Sequence, residues 1–320
     1  MARHWHVRRR RRRSCSCTAT ALVCVAVAGC GFGAGPSSSG TATLTVTRDY
    51  GSKTLVSASE EDPPSSETVI RFLDDEADIT TRYGGGFVQS IDGLAGTGPS
   101  DWFFYVNGVE SPVGSADVHV AGGDRIWWDY RNWSATMSVP AVVGSWPEPF
   151  AQASAERPEP VVLQCADVRA ACEVATARLA SAGVSAHVVH NTGPSDGTLR
   201  MLLGTWTNVR DDPAVDALRG GPVNNGVFAT FKGSVDSNRW HLIGLDPTGT
   251  PVRGFGTTGG LVAALGRAGE PQTWIVTGSS PEAVRRGAAA LDGSSLGNRY
   301  AIAATRHGAV PLPIVGKAGG

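Results

Sequence analysis

One pattern in the chain has the form of a catalytic serine motif. Gly293-Ser-Ser295-Leu-Gly297 matches G-x-S-x-G, in which a serine on a sharp turn attacks an acyl carbon. That chemistry needs a strand entering the serine and a helix leaving it. Ser295 instead follows a predicted helix and precedes a predicted strand at Tyr300, so the sequence favours an ordinary loop. We find no other nucleophile with a base, and no paired carboxylates, and expect no enzyme.

Three further patterns could bind ions, and each lacks a necessary part. The glycine-rich segment 254–260 precedes a predicted helix at Leu261–Gly266 and could hold an anion, but it has no Walker lysine, so a tight turn is favoured. The acidic run 74–78 lacks the ligand spacing and the glycine of an EF-hand loop. His187 and His190 would lie on opposite faces of a strand. The sequence therefore predicts no metal site and no resident cofactor.

Aromatic residues provide the strongest sign of a binding surface. They are concentrated in two predicted strands, Trp102–Val106 and Arg125–Trp133. Asn107-Gly108 directly after the first strand predicts a tight type I′ hairpin turn. Side chains alternate faces along a strand, so Trp127, Asp129, Arg131 and Trp133 share one side of the second strand. Because Asp129 and Arg131 are charged, we expect this side to face solvent.

Exposed tryptophans often mark ligand or partner surfaces. The sequence therefore predicts a ligand-binding face that consists of Trp127, Trp133, Tyr105, Phe103 and Arg131. An alternative stays open: the linker, with Trp146 to Phe150, folds back over these rings and buries them between two domains.

The first thirty residues have the plan of an export signal. Arg8 to Arg13 form a basic run, Ala19 to Val27 are apolar, and the run ends at Val27-Ala28-Gly29-Cys30. That end resembles the lipobox of bacterial lipoproteins, which implies a diacylglyceryl group on Cys30. A plain secretory signal and a single membrane span are the alternatives, although the apolar run is shorter than the roughly 20 residues a span needs. The export route, general or twin-arginine, stays open.

Removal of the signal changes the charge of the chain. The whole sequence has 28 basic and 29 acidic residues, and seven of the arginines lie in residues 1–29, so the mature chain would carry 21 basic groups and a charge near −8. An acidic protein repels phosphate backbones, so we expect no nucleic acid partner. The lipid on Cys30 is then the expected membrane contact, at the extracytoplasmic face of the cell membrane.

Two cysteines, Cys165 and Cys172, remain in the mature part beyond Cys30. Outside the cytoplasm such a pair favours a disulfide, here between the end of a strand and the first turns of a helix. Free buried thiols are the alternative.

The composition divides the rest of the chain into segments. We predict a signal at 1–29, a tether at 30–40, a first domain at 41–135, a linker at 136–160, a second domain at 161–310 and a tail at 311–320. The fold class is α+β: a mostly antiparallel, β-grasp-like first domain with one helix from about Ser66, followed by an α/β sheet domain with helices on its faces.

Two motifs in the first domain resemble a known family. Trp102-Phe-Phe-Tyr-Val-Asn-Gly108 and Gly123-Asp-Arg-Ile-Trp-Trp-Asp-Tyr130 resemble the transcobalamin-like domain, also catalogued as domain of unknown function 4430, over about residues 42–133. The resemblance implies the β-grasp-like domain that closes over cobalamin in intrinsic factor and transcobalamin. The helical barrel of those carriers has no counterpart in this chain.

These observations lead to one functional hypothesis and one alternative. The hypothesis is a surface-anchored, non-catalytic binding lipoprotein that captures a corrinoid, such as cobalamin, for a membrane importer. The alternative is a structural or protein-interaction module of the cell envelope that docks a membrane complex.

Overall fold

A five-stranded mixed sheet forms the first half of the chain in this computed structural model. Its strands are β1 (Thr41–Arg48), β2 (Lys53–Glu61), β6 (Ser100–Val106), β7 (Val109–Glu110) and β8 (Arg125–Asn132), in the order β2-β1-β8-β6-β7. β1 and β8 are parallel, and the other neighbours are antiparallel. Helix α1 (Val69–Glu76) packs on one face through Val69, Phe72 and Leu73.

A small three-stranded sheet follows α1. It consists of β3 (Ile79–Arg82), β4 (Phe87–Ile91) and β5 (Leu94–Ala95), and a single 3₁₀ turn at Tyr83–Gly85 joins the first two strands. Further along, the predicted turn at Asn107-Gly108 joins β6 to β7, and both residues have positive φ, 53° and 79°. A type I′ hairpin turn requires a positive φ at both of its central residues.

A seven-stranded sheet organises the second half. Its strands are, in spatial order, β10 (Ala186–Val189), β9 (Val161–Ala166), β11 (Arg200–Thr205), β16 (Thr273–Gly278), β15 (Gly260–Leu265), β17 (Ala301–Thr305) and β18 (Gly308–Leu312). The first four are parallel and the last three antiparallel to their neighbours. Helices α2 (Arg169–Ser181) and α6 (Pro281–Ala289) share one hydrophobic core with this sheet.

The opposite face of this sheet has a second core. It packs against short helices and a three-stranded antiparallel sheet, which are α3 (Trp206–Val209), α4 (Pro213–Asp216), α5 (Pro222–Asn225), β12 (Ala229–Ser234), β13 (Arg239–Leu245) and β14 (Pro251–Gly256). A last short helix, α7 (Gly293–Leu296), precedes β17.

The structure describes residues 38–152, 161–190, 198–234, 236–237, 239–266 and 271–316. All of them belong to one compact unit, Ala34–Gly320. Within the described residues, no helix is long and apolar enough to cross a bilayer. The α+β fold class is confirmed: strands and helices are both present, and the sheets are mostly antiparallel.

Three predicted elements differ from the structure. Leu261–Gly266 was expected as a helix, but Leu261–Leu265 belongs to strand β15, whose six residues, Gly260–Leu265, are all buried. A strand covered on both faces has no alternating pattern, so a short apolar run does not separate it from a buried helix. The first helix begins at Val69, not near Ser66. The sequence also predicts a short helix at Ala214–Arg219, but only Ala214–Asp216 of that range is α-helical, since a 3₁₀ turn follows.

A buried disulfide and a buried ion pair hold the second half together. Cys165 at the end of β9 and Cys172 in α2 form a disulfide, with 5.9 Å between their Cα atoms. The guanidinium of Arg200 donates two hydrogen bonds, of 2.6 and 2.9 Å, to the carboxylate of Asp212. Both of these side chains are buried, and the pair ties the start of α4 to the sheet.

Candidate functional site

An open groove lies beside α1. Its volume is about 470 Å³, and its lining residues are Thr68, Ile70, Arg71, Asp74, Ile79, Thr81, Gly84, Gly85 and Ala116. Ile70 and Asp74 are one helical turn apart and so share a face of α1, while Ile79 and Thr81 come from β3. Pockets for small molecules commonly measure about 300 to 1,000 Å³, so the groove has room for a small ligand or for part of a larger one.

The groove combines apolar and polar groups. Ile70 and Ile79 give it an apolar floor, and Thr68, Thr81, Arg71 and Asp74 supply hydrogen-bond donors and acceptors. Such a lining suits a ligand that has an apolar body and a polar margin.

The hairpin between β3 and β4 supplies Gly84 and Gly85 to the lining of the groove and carries two exposed aromatic rings next to them in the chain. Tyr83 is 87% exposed, Phe87 is 41% exposed, and their rings meet edge to face with centroids 6.4 Å apart. The loop that carries Val113, 51% exposed, lies against the same hairpin, because a Cβ on Gly114 would come within 2.9 Å of the Gly86 carbonyl oxygen. We call Tyr83, Phe87 and Val113 the apolar rim.

Glycines permit the shape of this hairpin. Tyr83, Gly84 and Gly85 all have positive φ, at 54°, 72° and 97°. Such angles are uncommon for a bulky non-glycine residue such as tyrosine. The turn holds the Tyr83 ring out in solvent, where a ligand can reach it.

The predicted ligand-binding face lies elsewhere, and the expectation that it faces solvent is wrong. Trp127 is 2% exposed, Tyr105 is fully buried and Arg131 is 1% exposed. Tyr300 of the second half packs against Trp127, with ring centroids 5.2 Å apart. Charge on this face therefore marks a buried contact between the two halves of the chain.

These residues belong to a cluster that joins the two sheets. We call it the junction cluster; its buried apolar members are Tyr50, Tyr105, Trp127, Val139, Val142, Phe228, Leu245 and Tyr300. The alternative that the sequence left open, burial of the rings, is what the structure shows. The covering residues are mainly Tyr300, Phe228 and Val142, whereas Trp146 and Phe150 pack in the core around Trp274.

Asp129 is the charged centre of the junction cluster. Its carboxylate is fully buried and accepts hydrogen bonds from Thr47 Oγ1 (2.6 Å), the Tyr300 hydroxyl (3.0 Å) and the Gly51 amide (3.1 Å). Burial raises the pKa of Asp129 to about 6, although the three hydrogen bonds and Arg131 oppose the shift. The net effect is a buried carboxyl whose pKa lies well above its ordinary value.

Arg131 is held by several partners at once. It donates hydrogen bonds to the carbonyl oxygens of Thr136 (2.9 Å) and Met137 (2.8 Å), and its guanidinium carbon lies 3.6 Å from the centre of the Phe103 ring. The Oε1 atom of Glu110 lies 3.7 Å from the Nη2 atom of Arg131. These contacts position the segment after β8, so Arg131 is engaged inside the protein.

Two of the predicted residues keep some exposure. Phe103 and Trp133 are both partly buried, and Phe103 packs against the junction cluster. Trp133 follows β8, and its amide donates to the carbonyl of Pro99 at 2.8 Å. Neither lines the groove.

Of the remaining residues predicted from the sequence, the structure describes some and not others. Cys165 and Cys172 are joined as reported above. Cys30 lies outside the described residues, as do the signal segment and most of the tether. Ser295 lies in α7, whose N-cap Asp292 accepts a hydrogen bond from its amide, and the glycine-rich segment 254–260 leads into strand β15.

The groove and its rim were not predicted from the sequence. The run Tyr83-Gly-Gly-Gly86 beside a short alternating strand was the available signal, because glycines after an aromatic residue indicate a turn that exposes it. Over the residues that the structure covers, no group of three His, Cys, Asp or Glu side chains is placed to hold a metal ion.

Comparisons with known proteins give one match to a family model, over a single segment of the chain. No curated protein matches this chain. A crystal structure from Ruminococcus gnavus, named a "putative metal binding protein", is 14% identical, with 29% of this chain and 97% of that chain covered and a TM-score of 0.24; neither fold nor function follows from a likeness of that size. The family model "Domain of unknown function (DUF4430)" matches residues 66–132, a segment that contains every residue of the groove and of its apolar rim.

Proposed function

We propose that this chain is a non-catalytic binding lipoprotein that captures a corrinoid in the groove beside α1. The observation that carries the proposal is the groove itself, a cavity of about 470 Å³ whose lining includes Gly84 and Gly85, the two residues that follow the exposed Tyr83 in the chain. Large exposed apolar groups are costly in water and commonly mark a surface with a partner.

The lining fits the chemistry of a corrinoid. Such a molecule has a flat, largely apolar macrocycle with amide side chains at its edge. The apolar floor at Ile70 and Ile79 and the ring of Tyr83 suit the macrocycle, and the hydroxyl, guanidinium and carboxylate groups of Thr81, Arg71 and Asp74 suit the amides. The groove takes one edge of the ligand and leaves the rest open to a membrane importer.

The anchor completes the proposal. A diacylglyceryl group on Cys30 provides two acyl chains, and two chains hold a protein at a membrane where one binds only marginally. The protein then acts on the extracytoplasmic face of the cell membrane, where it raises the ligand concentration near the importer.

Calorimetric titration of the full chain in mild detergent tests this function. The ligands are cobalamin and its precursor cobinamide, and the expected result is saturable binding at micromolar affinity or tighter. Tyr83→Ala should weaken binding about three- to tenfold, the usual contribution of one aromatic contact. The ring is exposed, so its removal leaves the core intact.

A matched control separates the groove from the rest of the surface. Val252 on β14 is also half exposed and lies outside the groove, so Val252→Ala should leave the affinity unchanged. Absence of binding with both corrinoids would overturn the proposal and favour the alternative, a protein-interaction module of the envelope. Equal losses in both variants would remove the groove as the site.

A further inference from the structure

The apolar rim brings together exposed side chains that elsewhere on the surface are scattered. Seven large apolar side chains are exposed in the part of the chain that the structure describes, and Tyr83, Phe87 and Val113 of the rim are three of them. The other four are single residues in separate segments. Single exposed apolar residues are ordinary, whereas a group of them marks contact with a partner or a membrane.

A basic side chain accompanies the rim. Arg82 lies directly opposite Phe87 in the hairpin, and it is exposed. Tyrosine rings are enriched where lipid headgroups meet acyl chains, and arginine places its stem on apolar surface while its charge stays in water. The end of the hairpin therefore has the chemistry of a lipid contact.

The tether enters the first half near the beginning of α1. The amide of Ser38 donates a hydrogen bond of 3.0 Å to the carbonyl of Pro63, and the amide of Gly122 donates one of 2.7 Å to Ser38 Oγ. Two residues before Gly122, the amide of Val120 donates to the carbonyl of Glu67 at 3.1 Å. Glu67 is two residues ahead of the first residue of α1.

The rim adjoins the same end of the helix. The amide of Ile70, in the first turn of α1, donates a hydrogen bond of 3.1 Å to the carbonyl of Ser115. Ser115 follows Gly114, the residue that lies against Gly86 of the hairpin. The tether entry and the rim therefore both lie beside the beginning of α1.

The length of the tether limits how far this end can be from a lipid on Cys30. Eight peptide units separate Cys30 from Ser38, and together they span at most about 29 Å. That reach is close to the diameter of a small domain, which is about 30 Å. An anchor this short favours the end that carries Ser38, and the rim with it, as the surface turned to the bilayer.

We infer that the apolar rim is a membrane contact, which inserts into the headgroup region of the bilayer that holds Cys30. Tyr83, Phe87 and Val113 lie among the headgroups and the first acyl carbons, and the guanidinium of Arg82 pairs with a lipid phosphate. The inference rests on the lipid anchor of the proposed function and adds the lipid surface as a partner of the hairpin. Gly84 and Gly85 line the groove, so the groove then opens beside the bilayer.

Quenching by labelled lipid tests the inference. The mature chain, acylated on Cys30, is placed in phosphatidylcholine vesicles that contain nitroxide-labelled lipid. Val113→Cys supplies one free thiol for a fluorophore, because Cys165 and Cys172 are joined. Val252→Cys is the matched control, since Val252 is 50% exposed and Val113 is 51% exposed.

We expect strong quenching of the fluorophore at position 113 and little at position 252. Equal quenching at the two positions, or none at position 113, would overturn the inference. So would a mature chain without an acyl group on Cys30, because the orientation depends on that anchor.

A second variant separates insertion of the rim from mere proximity to the bilayer. Tyr83→Asn with Phe87→Ser removes both rings, and asparagine tolerates the positive φ of 54° at position 83. Both side chains are exposed, so the melting temperature should stay unchanged while quenching at position 113 falls to the level of the control. Quenching that persists in this variant would show that the rim does not insert. These vesicles contain no corrinoid, so failure here leaves the calorimetric test of ligand capture unaffected.

Discussion

The buried carboxyl of Asp129 predicts a specific dependence of stability on pH. Burial raises its pKa in the folded protein to about 6 from an ordinary value of 3.8. The folded state therefore holds the proton more tightly than the unfolded state, and protonated Asp129 stabilises the fold. This contribution to the free energy of unfolding is complete below about pH 4, and it is lost as the pH rises through about 6. Raising the pKa of this carboxyl from 3.8 to about 6 corresponds to about 3 kcal/mol of the free energy of unfolding.

Asp129→Asn isolates this contribution from the other titrating groups. Asparagine keeps the shape and one acceptor oxygen but cannot ionise, so the variant should lack the fall in stability between about pH 4 and pH 7. Urea unfolding, followed by tryptophan fluorescence at several pH values, measures the free energy of unfolding of both proteins. The free energy of unfolding of the wild type minus that of the variant should fall by about 3 kcal/mol as the pH rises across this window. A difference that is flat or rises with pH would refute the reasoning.

Four further predictions concern the core, the disulfide, the buried ion pair and the anchor. Trp127→Ala should cost about 3 to 5 kcal/mol in urea unfolding, whereas the partly exposed Trp133 should tolerate alanine better. Cys172→Ser should cost about 2 kcal/mol, and its melting temperature should no longer respond to reductant. Asp212→Ala strands a buried guanidinium and should cost about 3 to 5 kcal/mol in urea unfolding. Cys30→Ser should move the protein from the membrane fraction to the soluble fraction, and unchanged fractionation would contradict lipidation.

Strand β8 shows both the strength and the limit of sequence reasoning. Period-two alternation correctly predicts which side chains share a face, since Trp127, Asp129 and Arg131 do lie together. It cannot say what covers that face. Charged residues normally indicate solvent, but here three hydrogen bonds to Asp129 and the backbone partners of Arg131 compensate for their burial.

The second half of the chain was harder to interpret for a related reason. A strand that is buried on both faces is a continuous apolar run, so Leu261–Gly266 gave no period that would distinguish a strand from a helix. By contrast, the turn predicted at Asn107-Gly108 is confirmed, because positive φ at both positions is a requirement of the local sequence alone. Local chemistry was predictable, and the partners across the fold were not.

The groove depends on elements that are distant from any catalytic pattern. Its lining comes mainly from α1, β3 and the turn after β3, and the exposed Tyr83, Phe87 and Val113 lie in the adjoining hairpin and loop. None of these residue types signals a site by itself, because isolated exposed apolar residues are ordinary on protein surfaces. Their proximity arises only from the fold of the hairpin against the loop that contains Gly114.

Hydrogen exchange of the full chain, with and without cobinamide, tests the proposed function most directly. We expect bound ligand to slow exchange in the β3–β4 hairpin, Ile79 to Ile91, and in α1, with no change in β8. Unchanged exchange at the hairpin, or protection confined to β8 and the junction cluster, would contradict the groove as the site of binding.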